Sequence, residues 1–207
     1  MPLHTDFSDC LSAVKGRLGW KLPIKSVKLY KRAIDARNRD AVVFNCAFLL
    51  QTENDTAVLK ALKRYDAALF SEKEYEFLTV KGVKERPIVV GFGPAGMFAA
   101  LSFAKAGLCP IVLERGRDVD RRIKDVEQFF KTNCLDETSN IQFGEGGAGT
   151  FSDGKLNTGI KDSRIKAVLK IFAEHGANED ILYDSKPHIG TDHLVRIVKS
   201  IRQEIIR

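Results

Sequence analysis

The stretch PIVVGFGPAGMFAALSFAKAGLCPIVLER, residues 87–115, constrains the fold of this chain more than any other. Within it Gly91-Phe92-Gly93-Pro94-Ala95-Gly96 is a G-x-G-x-x-G turn directly after the apolar run Ile88-Val89-Val90. That context predicts a buried parallel strand turning sharply into a helix. Gly91 permits the tight turn, Gly93 lets the backbone approach a pyrophosphate, and Gly96 lets the helix pack closely on the strand. Pro94 suits a first helical turn, where a missing N–H costs nothing. Ala99, Ala100 and Ala104 keep the helix slim to about Ala106, and Gly107 ends it. A second apolar run, Ile111-Val112-Leu113, closes on Glu114, 21 positions after Gly93. A carboxylate about 20 positions beyond the turn is placed to accept from the ribose hydroxyls of an adenine dinucleotide. The expected class is α/β, with a doubly wound, Rossmann-type domain. The turn alone does not distinguish FAD from NAD(P).

A second glycine-rich segment runs from Asn140 to Leu156, NIQFGEGGAGTFSDGKL, with five glycines between residues 144 and 154. Each would weaken a helix or strand by roughly 0.5–1 kcal/mol relative to Ala, so the segment is a loop. Its amides can cradle a phosphate or face a flavin. Ile141, Phe143, Phe151 and Leu156 would anchor it in the body of the protein.

The remainder divides by glycine content. Only Gly16 and Gly19 precede residue 82, which places a boundary in the charged stretch before Pro87 and gives domains at 1–82 and 83–207. The first domain reads as α-β-β-α-β. A helix carries Phe7, Cys10, Leu11, Val14 and Leu18, with Thr5 or Ser8 as cap. Strands at 24–36 and 41–51 join through Asn38-Arg39-Asp40. A helix follows from Thr56 to Tyr65, then a strand from Glu76 to Val80. That order would suit a ferredoxin-like sandwich. Six basic residues between 25 and 39 offer a surface for nucleic acid or another polyanion, the working part of a non-catalytic binding module. With no stacking aromatics beyond Tyr30 among them, they read rather as a solvated strand face and hairpin. In the second domain, helices are expected over 118–131 and 164–175 and in a last amphipathic stretch capped by Thr191 or Asp192, with a short strand at 181–183.

The chain's 207 residues, 44% hydrophobic and 29% charged, are too apolar for disorder. Its longest apolar run, Ala41 to Leu50, is ten residues interrupted by Asn45, where a membrane helix needs about 20. With no signal-peptide pattern, a cytoplasmic protein is expected. A net charge of +6 suits an anionic ligand but does not call for nucleic acid. Cys10, Cys46, Cys109 and Cys134 form no C-x-x-C pair and are expected to be reduced and mostly buried, with no metal site.

GFGPAGMFAALSFAKAG, VLERG and above all NIQFGEGGAGTFSDGKLNT resemble the FAD-dependent oxidoreductases labelled NAD(FAD)-utilizing dehydrogenases, within the glutathione-reductase-like flavoproteins. IKSVKLYKRAIDARNRD is similar to the small α/β domain preceding the flavin domain there. The resemblance implies FAD as cofactor, NAD(P)H as electron donor and an unknown small-molecule substrate. It places Gly91, Gly93, Pro94, Ala95 and Gly96 at the pyrophosphate, Glu114 at the adenosine ribose and Arg115 beside the adenosine. Gly146, Gly147, Ala148, Gly149, Thr150 and Ser152 would lie along the pyrophosphate and isoalloxazine. Arg122 either reaches phosphate or lies on a solvated helix face; both readings stay open. Asp153 and Lys155 are the ionisable groups beside the loop, and neither is assigned a catalytic role. Members of the group continue well past this length, so a truncated or split member is expected, with the missing C-terminal part as its partner.

Overall fold

The computed structural model describes residues 1–19, 22–72 and 74–207, apart from the Thr191 side chain. It is a mixed α/β structure with two two-stranded sheets, divided into two compact units. The first comprises Met1–Lys73 with Leu182–Pro187, the second Glu74–Ile181 with His188–Arg207. The division expected at 82/83 falls in the irregular stretch between the last helix of the first unit and the first strand of the second.

In the first unit, helix α1 (Cys10–Leu18) precedes β1 (Ile24–Asp35) and β2 (Val43–Thr52), an antiparallel pair, and α2 (Asp55–Ala61) follows. The cap of α1 is Asp9, whose carboxylate accepts from the Ser12 amide at 3.0 Å, not Thr5 or Ser8. Ser8 is taken up locally by Asp6. Asn54 caps α2, which ends before Tyr65. The hairpin turns where expected: the Asp40 amide donates to the Asn38 side chain at 3.1 Å, an Asx turn.

The other edge of β1 is covered by a segment far away in sequence. The Arg32 amide donates to Tyr183 O at 2.7 Å and the Ser185 amide to Arg32 O at 2.9 Å. The Arg32 side chain forks onto the Asp184 carboxylate at 2.7 and 2.9 Å and lies among the rings of Phe7, Phe44 and Tyr183. Lys25, Lys28 and Lys31 are solvated as expected; Arg32 is not. Two expected strands are absent. Residues 76–80 are irregular, and Leu78 is exposed. Residues 179–182 form a 3₁₀ turn, with the extended piece displaced to the Asp184 pairing.

In the second unit, β3 (Ile88–Val90) and β4 (Ile111–Leu113) pair in parallel, joined by α3 (Pro94–Lys105). Helices α4 (Val119–Thr132), α5 (Arg164–Glu174) and α6 (Thr191–Ile206) complete it. The core gathers Val89 of β3, Met97 and Leu101 of α3, Phe172 of α5, and Ile197 and Ile201 of α6. His175, at the end of α5, ties that helix to α6 through Ser200 and Glu204, both at 2.8 Å. Glu204 also pairs with Lys105 of α3 at 2.8 Å. Gly190 caps α6, so Asp192 sits inside the first turn instead of before it.

Of the four cysteines, all free, Cys10 is buried and Cys109 and Cys134 are exposed, so they are less buried than expected. No group of metal-binding side chains occurs among the described residues, and no described helix is long and apolar enough to cross a membrane.

Gly96 is the tightest point of the β3–α3 unit. A Cβ there would collide with the Gly91 carbonyl, 2.9 Å from its carbon, and touch Val89 at 3.4 Å. Neither neighbour is a flexible side-chain end, so the backbone itself must move. Gly96→Ala is expected to destabilise the protein by about 1–3 kcal/mol, the usual range for overpacking. Urea unfolding of the two proteins checks this, and equal stabilities would mean that the close approach is not needed.

Candidate functional site

The turn after β3 is held by hydrogen bonds that leave its next amides free. The Gly91 amide donates to Leu113 O at 2.7 Å, and Gly91 has φ +89°, a conformation that favours glycine. Glu114, at the end of β4, accepts from the Phe92 amide at 2.6 Å and from the Gly116 amide at 2.8 Å. Gly93 then caps α3 in an extended conformation, with Pro94 at the first helical position. The amides of Gly93, Ala95 and Gly96 have no protein acceptor among the described residues. They belong to the positive end of a 12-residue helix.

The second glycine-rich loop sits against this turn. The Gly146 amide donates to Phe92 O at 2.7 Å. A Cβ on Gly147, which has φ +68°, would press on Pro94 Cδ at 3.1 Å and Gly93 Cα at 3.3 Å. Residues 148–151 form a 3₁₀ turn packed on α6, and the amides of Ala148 and Gly149 have no protein acceptor among the described residues. Two sets of unsatisfied N–H donors, from turns joined at Gly93 and Gly147, therefore adjoin each other. Thr150 is buried beside Gly146, and its hydroxyl has no partner among the described residues. Ser152 folds back on Gly149 O at 2.8 Å.

Arg122 lies on neither of the two expected paths. Its side chain is 0% exposed, which rules out the solvated helix face. Its guanidinium donates to five carbonyl oxygens: Asn140 and Ile141 at 2.8 Å, Glu145 and Gly147 at 2.7 Å, and Gly144 at 3.5 Å. Phe151 covers it, its ring centre 4.8 Å from the guanidinium carbon. The loop is thus wrapped around a buried cation. Gly144 and Gly116 make room for the wrap, since a Cβ on Gly144 would strike Arg122 Cδ at 2.8 Å and one on Gly116 would strike Gly144 N at 2.7 Å.

Glu145, in the same loop, was not singled out from the sequence, and only its place between two glycines could have marked it. It is 3% exposed. One carboxylate oxygen accepts from the Val119 amide at 2.6 Å and meets Arg202 at 3.2 Å; the other has no partner among the described residues. Glu114 and Glu145 both line a cleft of about 820 Å³, together with Phe92, Val112, Asp118 and Arg202. That volume is ordinary for a small-molecule site. Gly93, Ala95 and Ala148 lie outside its lining. Arg115 stacks on Phe143, 4.8 Å from the ring centre. Asp153 and Lys155 pair with each other at 2.7 Å on the exposed side of the loop, which holds the Asp153 carboxyl below its usual range.

The residues fit an anionic dinucleotide. The free amides supply donors for a diphosphate. Glu114 spends only one lone pair of each oxygen on the turn, leaving acceptor capacity for hydroxyls. Comparison with known proteins adds little chemistry. No family model matches the chain. An uncharacterized protein of Clostridium beijerinckii (strain ATCC 51743 / NCIMB 8052) is 45% identical over 212 residues, covering 99% of this chain and 40% of that protein. The chain thus spans about two fifths of the relative's length.

Burial pushes the Glu145 carboxyl above its ordinary range, against the lowering effect of the Val119 amide and Arg202. The folded protein therefore holds this proton more tightly than the unfolded chain does. The corresponding stability is complete below the unfolded value, about 4.3, and is lost as pH rises through the folded one. Relative to Glu145→Gln, the wild-type protein should be most stable at the acidic end and lose ground as pH rises. Denaturant unfolding of both proteins across pH tests this; a difference that is flat or of opposite slope would show that the paired carboxylate is favoured.

Proposed function

We propose that this chain is the FAD-binding part of a flavin-dependent oxidoreductase, built on a Rossmann-type β3–α3–β4 unit and preceded by a small α/β domain. The observation that carries the proposal is the contact between the two glycine-rich turns, where the unsatisfied amides of Gly93, Ala95 and Gly96 adjoin those of Ala148 and Gly149. A single turn of this kind would suit any phosphorylated ligand. A second turn set against the first provides donors for both phosphates of a diphosphate.

In this reading the α3 turn and the 3₁₀ turn hold the pyrophosphate, and Glu114 accepts from the adenosine ribose while keeping the turn closed through the Phe92 amide. Arg115, stacked on Phe143, borders the adenosine side. Bound FAD would supply hydride and electron transfer, the chemistry that protein side chains lack. The protein's part is to bind, orient and shield it, and no side chain is given a catalytic role. NAD(P)H is the proposed electron donor. The reaction of the complete protein belongs to the same proposal, because the chain spans 40% of the relative it matches.

Gly93→Ala separates binding from folding. The native φ of −73° suits alanine, and a Cβ would meet only Gly147 Cα, at 3.9 Å. The variant should unfold like the wild type yet bind FAD about tenfold to hundredfold more weakly, the added methyl standing where the pyrophosphate approaches. Titration with FAD followed by flavin fluorescence, beside a thermal melt, measures both. Unchanged FAD affinity in the variant, or a wild-type protein that takes up NAD(P) and no flavin, would overturn the assignment.

A further inference from the structure

Arg122 carries a full positive charge in a site closed to solvent, and every hydrogen bond it makes goes to a neutral carbonyl. Among the described residues no carboxylate bonds to it; Glu114 and Glu145 act on it only through space. Burying a guanidinium is costly, and carbonyl dipoles solvate such a charge without cancelling it. The charge remains available to something else that is negative.

The peptide plane shows where it acts. In a trans peptide the C=O and the following N–H point in opposite directions, so a carbonyl drawn toward Arg122 turns the next amide away from it. The amide after Ile141 O is that of Gln142, which donates to the Asn140 side chain at 2.8 Å. The amide after Gly144 O, that of Glu145, donates to Arg117 O at 3.1 Å, and the amide after Glu145 O, that of Gly146, to Phe92 O at 2.7 Å. These three lock the loop to its surroundings, while the amide after Asn140 O, that of Ile141, has no acceptor among the described residues and stands before the first glycine of the loop. The amide after Gly147 O is that of Ala148, which has no acceptor among the described residues and opens the 3₁₀ turn beside Gly93.

We infer that Arg122 is a positioning residue that makes this loop an anion receptor without touching the anion, by holding the Gly147 carbonyl and so aiming the Ala148 amide at a diphosphate. This rests on the flavin reading above and deepens it. Direct contact with phosphate is not the role of Arg122, because its side chain is 0% exposed and closed off beneath the loop and the Phe151 ring. The requirement is geometric as well as electrostatic. Five carbonyls spread around a planar fork suit a guanidinium, whereas a lysine ammonium has three donors at a single point.

The test compares the wild-type protein with Arg122→Ala and Arg122→Lys by FAD titration, each with and without added ethylguanidinium or ethylammonium, alongside amide hydrogen exchange. Arg122→Ala should bind FAD at least about tenfold more weakly. Ethylguanidinium should restore most of the affinity and ethylammonium little, and Arg122→Lys should stay weak. Exchange should quicken at Glu145–Gly147, whose amides are hydrogen-bonded in the wild type, and hold steady in α3. FAD affinity within about twofold of wild type in Arg122→Ala, or equal rescue by the two cations, would overturn the inference. So would two variants that fail to fold and are not recovered by ethylguanidinium, since Arg122 would then support the fold at large. A wild-type protein that takes up no FAD would refute the flavin reading; the exchange comparison would still decide whether Arg122 holds the loop.

Discussion

A buried cation fixes the shape of the second unit. Asn140, Ile141, Gly144, Glu145 and Gly147 all turn their carbonyls onto Arg122, and a loop with no ladder of its own thereby acquires a defined path. The glycines are what make the path possible. Gly144 clears the Arg122 side chain, Gly116 clears Gly144, and Gly147 meets Gly93 almost backbone to backbone. Remove the guanidinium and several carbonyls lose their partner inside a closed site, where each unsatisfied group costs on the order of 1–3 kcal/mol. The same wrapping carries Gly146 to the carbonyl of Phe92, so one charge holds both glycine-rich turns in contact.

The first unit solves a similar problem with different materials. Arg32 lies among three aromatic rings and forks onto Asp184, and the backbone at Tyr183 and Ser185 pairs with β1 on either side of it. Here the charge is paired with a carboxylate and stacked on rings, which accounts for it locally. Arg122 has carbonyls where Arg32 has an acid. That contrast is why one arginine reads as part of the scaffold and the other as preparation for a ligand.

How much of this could be read from the sequence depended on the range of the interaction. Local periodicity and turn chemistry placed β1, β2, α3, α4 and the parallel pair β3–β4 close to their observed bounds, because each is specified within a few residues. Gly96 packed as its spacing implies. What the sequence did not reveal lies across distance. Arg122 sits on a helix whose pattern suits a solvated face, and nothing near it announces five carbonyls arriving from residues 140–147. Asp184 meets Arg32 from 152 positions away, so the segment at 181–183 looked like a strand of its own neighbourhood. Residues 76–80 have strand-like composition yet join no sheet, and composition alone does not create a partner. The caps fell in between: Asp9 and Asn54 are ordinary capping residues, but several neighbours could have served equally well.

The account stands on the two turns acting together as one receptor for a diphosphate. Amide chemical shifts during titration with FAD test that claim most directly, since each donor reports for itself. FAD should shift Gly93, Ala95 and Gly96 together with Ala148 and Gly149, along a single saturating curve. Saturable binding that moves only one of the two turns, or neither, would contradict it.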